Sequence, residues 1–243
     1  MKWTVVGYYG GSLKAGKAAS GYLLEAKEPI LIDCGPGIVS TLQQRIDLNQ
    51  INHVVLSHYH WDHFSDLGAL IYHRVIQQEL GMTQQPLHLY GQVIEPYYEL
   101  LSQYDCVEFH PIESGKPFEV VGVQFTPAFT HHPVPCLAFS IQDSDHKIFY
   151  GADGEYAQEL IPLAQDSDLL VIEASLYPEI SGEASGHMNA LDAAQFIIET
   201  EPKQAILTHL PIYGDPEEIL EVVLERTAIP VHLAESWFTV DLK

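Results

Sequence analysis

A short segment of the chain carries three histidines and an aspartate within six positions. Residues 58–63 read HYHWDH, so the side chains that could bind a metal are His58, His60, Asp62 and His63. With 13 histidines in 243 residues and a similar number of aspartates, a random chain would contain this pattern with a probability of about 0.002. Imidazole and carboxylate ligands without a thiolate suit Zn²⁺ in a catalytic site, and manganese or iron would be tolerated. The chemistry expected of such a motif is metal-assisted hydrolysis.

The spacing within this segment predicts how many ions it can hold. Residues two apart on an extended segment face the same way, so His58, His60 and Asp62 can converge, and a turn into a following helix carries His63 to the other side. Two adjacent cations could then be bound. Three further candidate ligands follow predicted strands: His132, Asp153 and His209. A single histidine or aspartate at a strand end is more often a cap or turn residue, but in a chain that also contains the motif at residues 58–63 we interpret all three as ligands.

Short β-rich segments alternate with helical ones along the chain and provide these strand ends. The predicted strands are 3–9, 21–25, 30–33, 53–57, 87–90, 107–109, 118–121, 123–126, 137–141, 147–150, 169–173, 205–208, 231–233 and 237–240. The predicted helices are 38–46, 62–80, 93–104, 156–163, 190–200 and 216–225. Because we find neither an internal repeat nor a linker-like stretch, the pattern predicts one mixed α/β domain that contains two sheets.

The composition excludes several classes of function. The chain has 33 acidic against 11 basic residues and a formal net charge of −22. This charge argues against nucleic acids and anionic membranes as partners, since both are bound mainly through lysine and arginine. No apolar stretch approaches the roughly 18 residues of a membrane span, and the first residues form a poor signal peptide. The 3 cysteines are widely spaced and predict neither disulfides nor a thiolate metal site, so we expect a cytoplasmic protein.

Further motifs form an ordered series along nearly the whole chain. They lie at residues 30–37, 58–63, 132–135, 153, 168–174, 186–188 and 207–209. This series resembles the metallo-β-lactamase fold superfamily, and within it the branch of ribonuclease Z and related phosphodiesterases. The resemblance implies a single α/β domain over residues 1–243, built as a four-layer αββα sandwich. It also implies two divalent metal ions at one edge of the two sheets, with Zn²⁺ preferred over Mn²⁺ or Fe.

The resemblance also implies a role for each candidate ligand. One metal is assigned to His58, His60 and His132, the other to Asp62, His63 and His209, and Asp153 is the bridging carboxylate. His132 is preferred to His131 because its His-x-Val-Pro spacing matches the family, which leaves His131 as a neighbouring residue of the pocket. Asp33 is expected to orient a ligand or loop, or else to end its strand as a turn residue.

His187 distinguishes the phosphodiesterase branch from lactamase and thioesterase relatives, which usually lack a histidine here. It lies near Asn189, an expected helix N-cap with Asp192 three residues on, so we expect free N–H groups beside it that attract a phosphate. A protonated imidazole there could hold the phosphoryl group or protonate the departing oxygen. Glu173 resembles the family glutamate that orients this histidine, although Ile172 replaces the histidine that usually precedes it. The alternative is a structural histidine at a helix start.

These residues predict a phosphodiesterase whose catalytic residues are Asp62, His187 and Glu173. A hydroxide bridging two metals would attack phosphorus, and His187 would assist the leaving group. The long basic arm with which ribonuclease Z grips transfer RNA has no room here, since His132 and Asp153 are only 21 positions apart. A small substrate is therefore favoured, such as a cyclic nucleotide or another short phosphodiester. Six aromatic residues near the ligands could stack on a base or simply pack: Tyr59, Trp61, Phe64, Tyr72, Tyr177 and Tyr213.

Three other functions remain open from the sequence. A transfer-RNA 3′-processing endonuclease would share the whole motif series but would need a basic surface. A lactone or thioester hydrolase would keep the metals, and its activity would barely depend on His187. A non-catalytic metal-binding scaffold is disfavoured because every expected ligand is present. Relatives are commonly homodimers and we expect one here; a light-scattering mass near the 27.2 kDa of one chain would contradict this.

Overall fold

The strands follow the predicted β-rich segments closely. A computed structural model describes residues 1–182 and 185–242. In this part of the chain the strands are β1 (Lys2–Gly7), β2 (Gly21–Glu25), β3 (Pro29–Ile32), β4 (His53–Val55), β5 (Leu87–Gly91), β6 (Val107–Pro111), β7 (Phe118–Val120), β8 (Val123–Phe129), β9 (Leu137–Gln142), β10 (Lys147–Tyr150), β11 (Leu169–Glu173), β12 (Ala205–Thr208), β13 (Val231–Leu233) and β14 (Thr239–Asp241). The α-helices are α1 (Ile38–Leu42), α2 (Trp61–Phe64), α3 (Leu67–Glu79), α4 (Tyr97–Ser102), α5 (Ile161–Ala164), α6 (Ala190–Thr200) and α7 (Pro216–Leu224).

These strands form two sheets, each seven-stranded within the described residues. The order is β14-β1-β2-β3-β4-β5-β6 in the first sheet and β13-β12-β11-β10-β9-β8-β7 in the second. Strands β3 to β6 run parallel to one another, and so do β10 to β13. Because the carboxyl ends of parallel strands meet at one edge of a sheet, residues that follow these strands are brought together.

Both faces of the first sheet are buried, which requires a layer on each side. Leu24 and Ile30 are paired across β2 and β3 and belong to the apolar cluster shared with the second sheet. Their neighbours Leu23 and Leu31 point the other way and join a separate cluster that includes α1 and α3. On the second sheet, Phe149 stacks on Phe196 of α6 at 5.9 Å. Helices therefore cover the outer faces, and the predicted four-layer αββα sandwich is confirmed.

The helix predicted over residues 62–80 is divided into α2 and α3, so this prediction is wrong in detail. In a continuous helix, Asp66 N–H would donate to Asp62 O. Here Asp66 N–H donates to Cys34 O at 3.0 Å, and Asp62 O accepts from Ser20 N–H at 3.2 Å. Tertiary contacts thus replace the helical hydrogen bond. Three other predicted helices are shorter than expected: residues 38–46 contain only α1, residues 93–104 contain only α4, and residues 156–163 contain the 3₁₀ turn Gln158–Leu160 before α5.

Two expectations from composition can be compared with the fold. Cys34, Cys106 and Cys136 are all buried free thiols. Across residues 1–182 and 185–242, no helix combines the length and the apolar character that crossing a bilayer requires.

Candidate metal centre

The predicted ligands follow strands whose ends meet at one edge of the two sheets. His58 lies shortly after β4, His132 after β8, Asp153 after β10 and His209 directly after β12. The backbone stays extended up to His60, with φ −74° and ψ 145°, and α2 then begins at Trp61. This early helix start carries Asp62 away from the extended segment. Asp62 therefore does not join His58 and His60 as their spacing predicted, and lies instead with His63 and His209.

The first ligand cluster consists of His58, His60, His132 and Asp153. One potential ligand atom from each lies within 4.8 Å of the others. His132 Nε2 is 3.0 Å from His60 Nδ1, and His58 Nε2 is 3.7 Å from Asp153 Oδ2. The expected neighbour His131 instead faces solvent, where it pairs with Glu159. The structure thus brings His132 into the cluster and leaves His131 outside it.

The second ligand cluster consists of Asp62, His63, Asp153 and His209. His209 Nε2 lies 3.1 Å from Asp62 Oδ2 and 3.2 Å from Asp153 Oδ2. His63 Nε2 lies 3.2 Å from Asp153 Oδ1. Asp153 Oδ2 thus faces His58 of the first cluster and His209 of the second, so the carboxylate lies between the two clusters, where a bridging ligand of two ions would be needed.

The side chains of both clusters fit divalent ions. Among the described residues, His58 Nε2, His63 Nε2 and Asp153 Oδ1 are buried polar atoms without a hydrogen-bond partner. Buried polar atoms normally have a partner, and these three converge where nitrogen and oxygen ligands of a borderline metal are expected. The cluster therefore meets the chemical requirements of a divalent metal centre.

The protonation states also suit a cation site. Burial lowers the pKa of His58 well below its ordinary value, and burial also lowers the pKa of His60 and His132. These rings are therefore neutral and offer lone pairs. Burial alone would raise the pKa of Asp153, but the nearby His209 and His63 outweigh it and hold the pKa well below its usual range. The carboxylate keeps its negative charge, as a cation ligand must.

Asp33 lies behind the second cluster and fixes the ring of His63. Its Oδ2 accepts hydrogen bonds from His63 Nδ1 at 2.8 Å, Ser57 Oγ at 2.8 Å and Tyr150 Oη at 2.7 Å, and its Oδ1 accepts from Ser57 N–H at 2.8 Å. Burial opposes protonation of His63, but Asp153 and Asp33 outweigh it and raise the pKa of this ring well above its ordinary value. An ion at the cluster would take the place of the proton on Nε2, while the bond from Nδ1 to Asp33 keeps the ring oriented. Of the two roles considered for Asp33, the structure supports that of an orienting group.

Replacing Asp33 with asparagine should weaken metal binding by roughly 10- to 100-fold. The amide nitrogen cannot accept hydrogen bonds, so the His63 ring loses its fixed tautomer. Zn²⁺ titration against a competing chelator measures the affinity, and a thermal melt checks that the variant is folded. The exposed Asp105→Asn is the matched control because Asp105 lies away from the ligands. Unchanged affinity in a folded Asp33 variant would contradict this role.

Three other ligand histidines, His58, His132 and His209, are also held through Nδ1. Ser57 Oγ donates to Asp33, so it accepts from His58 Nδ1 at 2.9 Å. His132 Nδ1 donates to Gly186 O at 2.8 Å. His209 Nδ1 lies 2.7 Å from Ser175 Oγ, which donates in turn to Glu173 Oε2 at 2.5 Å. These partners could not be identified from the sequence as orienting groups, because neither their types nor their spacing indicates a contact with a ligand: Ser57, Tyr150, Ser175 and Gly186.

His187 lies beside both clusters and is held by Glu173. Its Nδ1 is 3.0 Å from Glu173 Oε1 and 3.1 Å from Oε2. The ring stacks on His209 with centroids 5.2 Å apart, and it packs edge-on against His132 at 5.2 Å. Burial opposes protonation, but the hydrogen bond and charge of Glu173 outweigh it and raise the pKa of His187 to about 9. The structure thus pairs these two residues as the resemblance implied.

The expectation that free N–H groups at the start of α6 would attract a phosphate is wrong. Asn189 is indeed the N-cap, with Asp192 completing a capping box. However, Asn189 Oδ1 accepts from the N–H groups of Leu191 and Asp192 at 2.9 and 3.0 Å, and Ala190 N–H donates to Leu176 O at 3.1 Å. A strong cap occupies the donors that a phosphate would otherwise use.

Only some of the aromatic residues near the ligands could meet a substrate. Tyr59 stacks face to face on Tyr97 at 4.8 Å and donates its hydroxyl to Gln92 O, so its role is packing. Phe64 and Tyr177 are also buried, whereas three of the six are exposed: Trp61, Tyr72 and Tyr213.

An αββα sandwich with histidines and aspartates clustered at one edge of its sheets defines the class of metal-dependent hydrolases with the metallo-β-lactamase fold. The family model described as a β-lactamase superfamily domain matches residues 29–210. The chain belongs to this superfamily.

Individual relatives agree with this assignment over the full length. The chain is 34% identical over 245 residues to the probable metallo-hydrolase YhfI of Bacillus subtilis, with 98% of each chain covered. The crystal structure of YhfI superposes with a TM-score of 0.95 at 32% identity, again covering 98% of both chains. The short form of human tRNase Z gives a TM-score of 0.78 at 21% identity, covering 100% of both chains. The predicted metallo-β-lactamase fold of the ribonuclease Z-like branch is confirmed, and the protein is a metallo-hydrolase.

Proposed function

We propose that this metallo-hydrolase is a dinuclear phosphodiesterase that cleaves a small phosphodiester, with a cyclic nucleotide as the preferred substrate class. One observation carries the proposal: His187 is fixed by Glu173 against His132 and His209. A leaving-group histidine must lie next to the ions and keep a defined tautomer, and this arrangement provides both.

The side chains at this edge would have different roles in such a reaction. Bound divalent ions would supply Lewis-acid stabilisation and activate water. Asp153 would hold both ions, and Asp62 would neutralise part of their charge. His187 donates Nδ1–H to Glu173, so Nε2 is the atom available to the substrate. A proton from Nε2 would reach the departing oxygen as its bond to phosphorus breaks, which releases the product as a neutral alcohol.

We propose Zn²⁺ as the metal and two ions as the number. The donor set of both clusters contains imidazole and carboxylate groups and no thiolate, which suits Zn²⁺ in a catalytic site. Cys136 Sγ lies 3.4 Å from His58 Nδ1, but that nitrogen faces away from the cluster. Burial raises the pKa of Cys136 well above its ordinary value, so the thiol does not compete as a ligand.

Three features favour a small substrate over transfer RNA. Between His132 and Asp153 the chain forms only the β9–β10 hairpin, with no extended arm. The net charge of −22 opposes binding of a long polyanion. A cavity of about 440 Å³ opens beside His187 and is lined in part by Glu155, Glu179 and Asp192. This volume fits a small molecule, and its acidic wall would repel further phosphates.

The test is a comparison of substrates. Zn²⁺-loaded protein should hydrolyse bis-p-nitrophenyl phosphate and at least one cyclic nucleotide, whereas a lactone, a thioester and a precursor transfer RNA should react little or not at all. An Asp153→Asn preparation purified in parallel controls for contaminating hydrolases. Lactone or thioester turnover without any phosphodiester turnover would overturn the proposal and favour an ester hydrolase.

A further inference from the structure

We propose a second metal-binding site, separate from the catalytic edge, that takes one divalent transition-metal ion between β5 and β6. Its ligands would be His88, Glu108 and His110, from which one potential ligand atom each lies within 4.8 Å of the others. Neither strand contributes a residue to the clusters described above. The inference is therefore independent of the proposed function.

Strand pairing places the three side chains on one face of the first sheet. In the parallel register His88 lies opposite Glu108 on β6, and Tyr90 lies opposite His110. On the other side, His53 of β4 lies opposite His88. Residues two apart on a strand share a face, so His88 and Tyr90 project on the same side as Glu108 and His110.

The distances match those between ligands of a single ion. His88 Nδ1 is 3.0 Å from His110 Nε2. Glu108 reaches both rings, with Oε2 3.5 Å from His88 Nδ1 and Oε1 3.7 Å from His110 Nε2. Two ligand atoms bound to a tetrahedral Zn²⁺ at about 2.05 Å lie roughly 3.3 Å apart. The three separations fall close to this value, so an ion could enter with small side-chain movements.

Both rings are held in place before any ion binds. His53 stacks on His88 with centroids 5.0 Å apart and planes 11° apart, and Tyr90 stacks on His110 at 4.6 Å and 17°. The ligand side chains are 24% exposed for His88, 57% for Glu108 and 33% for His110, so an ion can reach them from solvent. Prepositioned imidazoles reduce the entropy lost on binding.

Two neutral imidazoles and one carboxylate suit Zn²⁺, Ni²⁺ or Cu²⁺ rather than Mg²⁺ or Ca²⁺. Without an ion, one of the two facing nitrogens carries a hydrogen and donates it to the other. On metal binding that ring moves its hydrogen to its opposite nitrogen, so both lone pairs become available and no net proton is released. Three protein ligands leave a fourth position for water, and the ion would tie the edge strand β6 to β5.

The experiment compares Zn²⁺ stoichiometry in the wild type and the double variant His88→Gln/His110→Gln. After equilibration with excess Zn²⁺ and removal of free metal, the variant should hold one equivalent fewer than the wild type, with its hydrolytic activity unchanged. His232→Gln is the matched control, since His232 is an exposed strand histidine that packs on Phe238. Its metal content should equal that of the wild type.

Histidine ¹⁵N NMR gives a second, activity-independent measurement. The two ring signals that disappear in the double variant identify His88 and His110, and in the wild type these signals should shift when Zn²⁺ is added beyond the amount that fills the catalytic clusters. Glu108→Gln, at an exposed position, should weaken Zn²⁺ binding at this site at least tenfold. This single variant still tests the site if the double variant does not fold. Equal metal content, or unshifted signals in the wild type, would show a simple histidine–histidine hydrogen bond and overturn the site.

Discussion

Asp153→Asn should remove bound metal and lower kcat/KM by roughly 10³-fold or more. Asp153 is 1% exposed and belongs to both ligand clusters, so one substitution affects both ion positions. The amide presents a neutral oxygen on one side and a donor nitrogen on the other, and the nitrogen would face either the histidines or an ion. Elemental analysis after gel filtration measures the metal content, and steady-state kinetics measures the activity.

The control for this experiment is Asp168→Asn. Asp168 precedes β11 on the same sheet, and it accepts from Lys147 N–H and pairs with Lys203, away from the ligands. This variant should keep its metal and its activity. An Asp153 variant that retains both ions and full turnover would show that the cluster is not the catalytic metal site.

The ligand set could be predicted from sequence because its positions are fixed by strand ends. A strand that ends at Tyr150 or Thr208 delivers the following Asp153 or His209 to the edge of its sheet, whichever elements surround it. The motif at residues 58–63 could be identified as a source of further ligands because it contains three histidines and an aspartate within six positions. Predicted strand ends and this motif were therefore enough to identify most of the residues that meet at this edge, whereas the family resemblance was needed to choose His132 over His131 and to group the ligands.

Tertiary hydrogen bonds account for what the sequence did not predict. The break between α2 and α3 depends on Cys34 and Ser20, which lie far from it in the chain. The group around Asp33 includes Tyr150, which is 117 positions away. At the start of α6, Ala190 N–H likewise donates to Leu176 O, a contact that the expected N-cap at Asn189 did not indicate. None of these contacts has a periodicity that a single sequence displays.

The structure also shows why His187, and not Glu173, separates the proposed functions. Glu173 accepts from Gly154 N–H at 2.6 Å and from Ser175 Oγ, which holds the ligand His209. A change at Glu173 would therefore disturb the metal centre together with His187. His187 is exposed on one side and supports no ligand through a hydrogen bond, so its removal tests one role.

His187→Ala should lower kcat for a cyclic nucleotide roughly 10²- to 10⁴-fold while the metal content stays that of the wild type. Under the proposed function, the imidazole would supply a proton to the departing oxygen, which alanine cannot do. His131→Ala is the matched control, because His131 is the exposed histidine that pairs with Glu159 outside both clusters. Equal turnover of a cyclic nucleotide by His187→Ala and the wild type would contradict the proposed role.

Two substrates with different leaving groups distinguish the two roles considered for His187. A nitrophenolate departs readily without a proton, whereas the ribose oxygen of a cyclic nucleotide needs one. If His187 is the general acid, the loss in His187→Ala should be much larger for the cyclic nucleotide than for bis-p-nitrophenyl phosphate. An equal loss for both substrates would mean that the ring holds the phosphoryl group and does not transfer a proton. The ratio of the two losses therefore separates proton donation from phosphoryl binding at a single side chain.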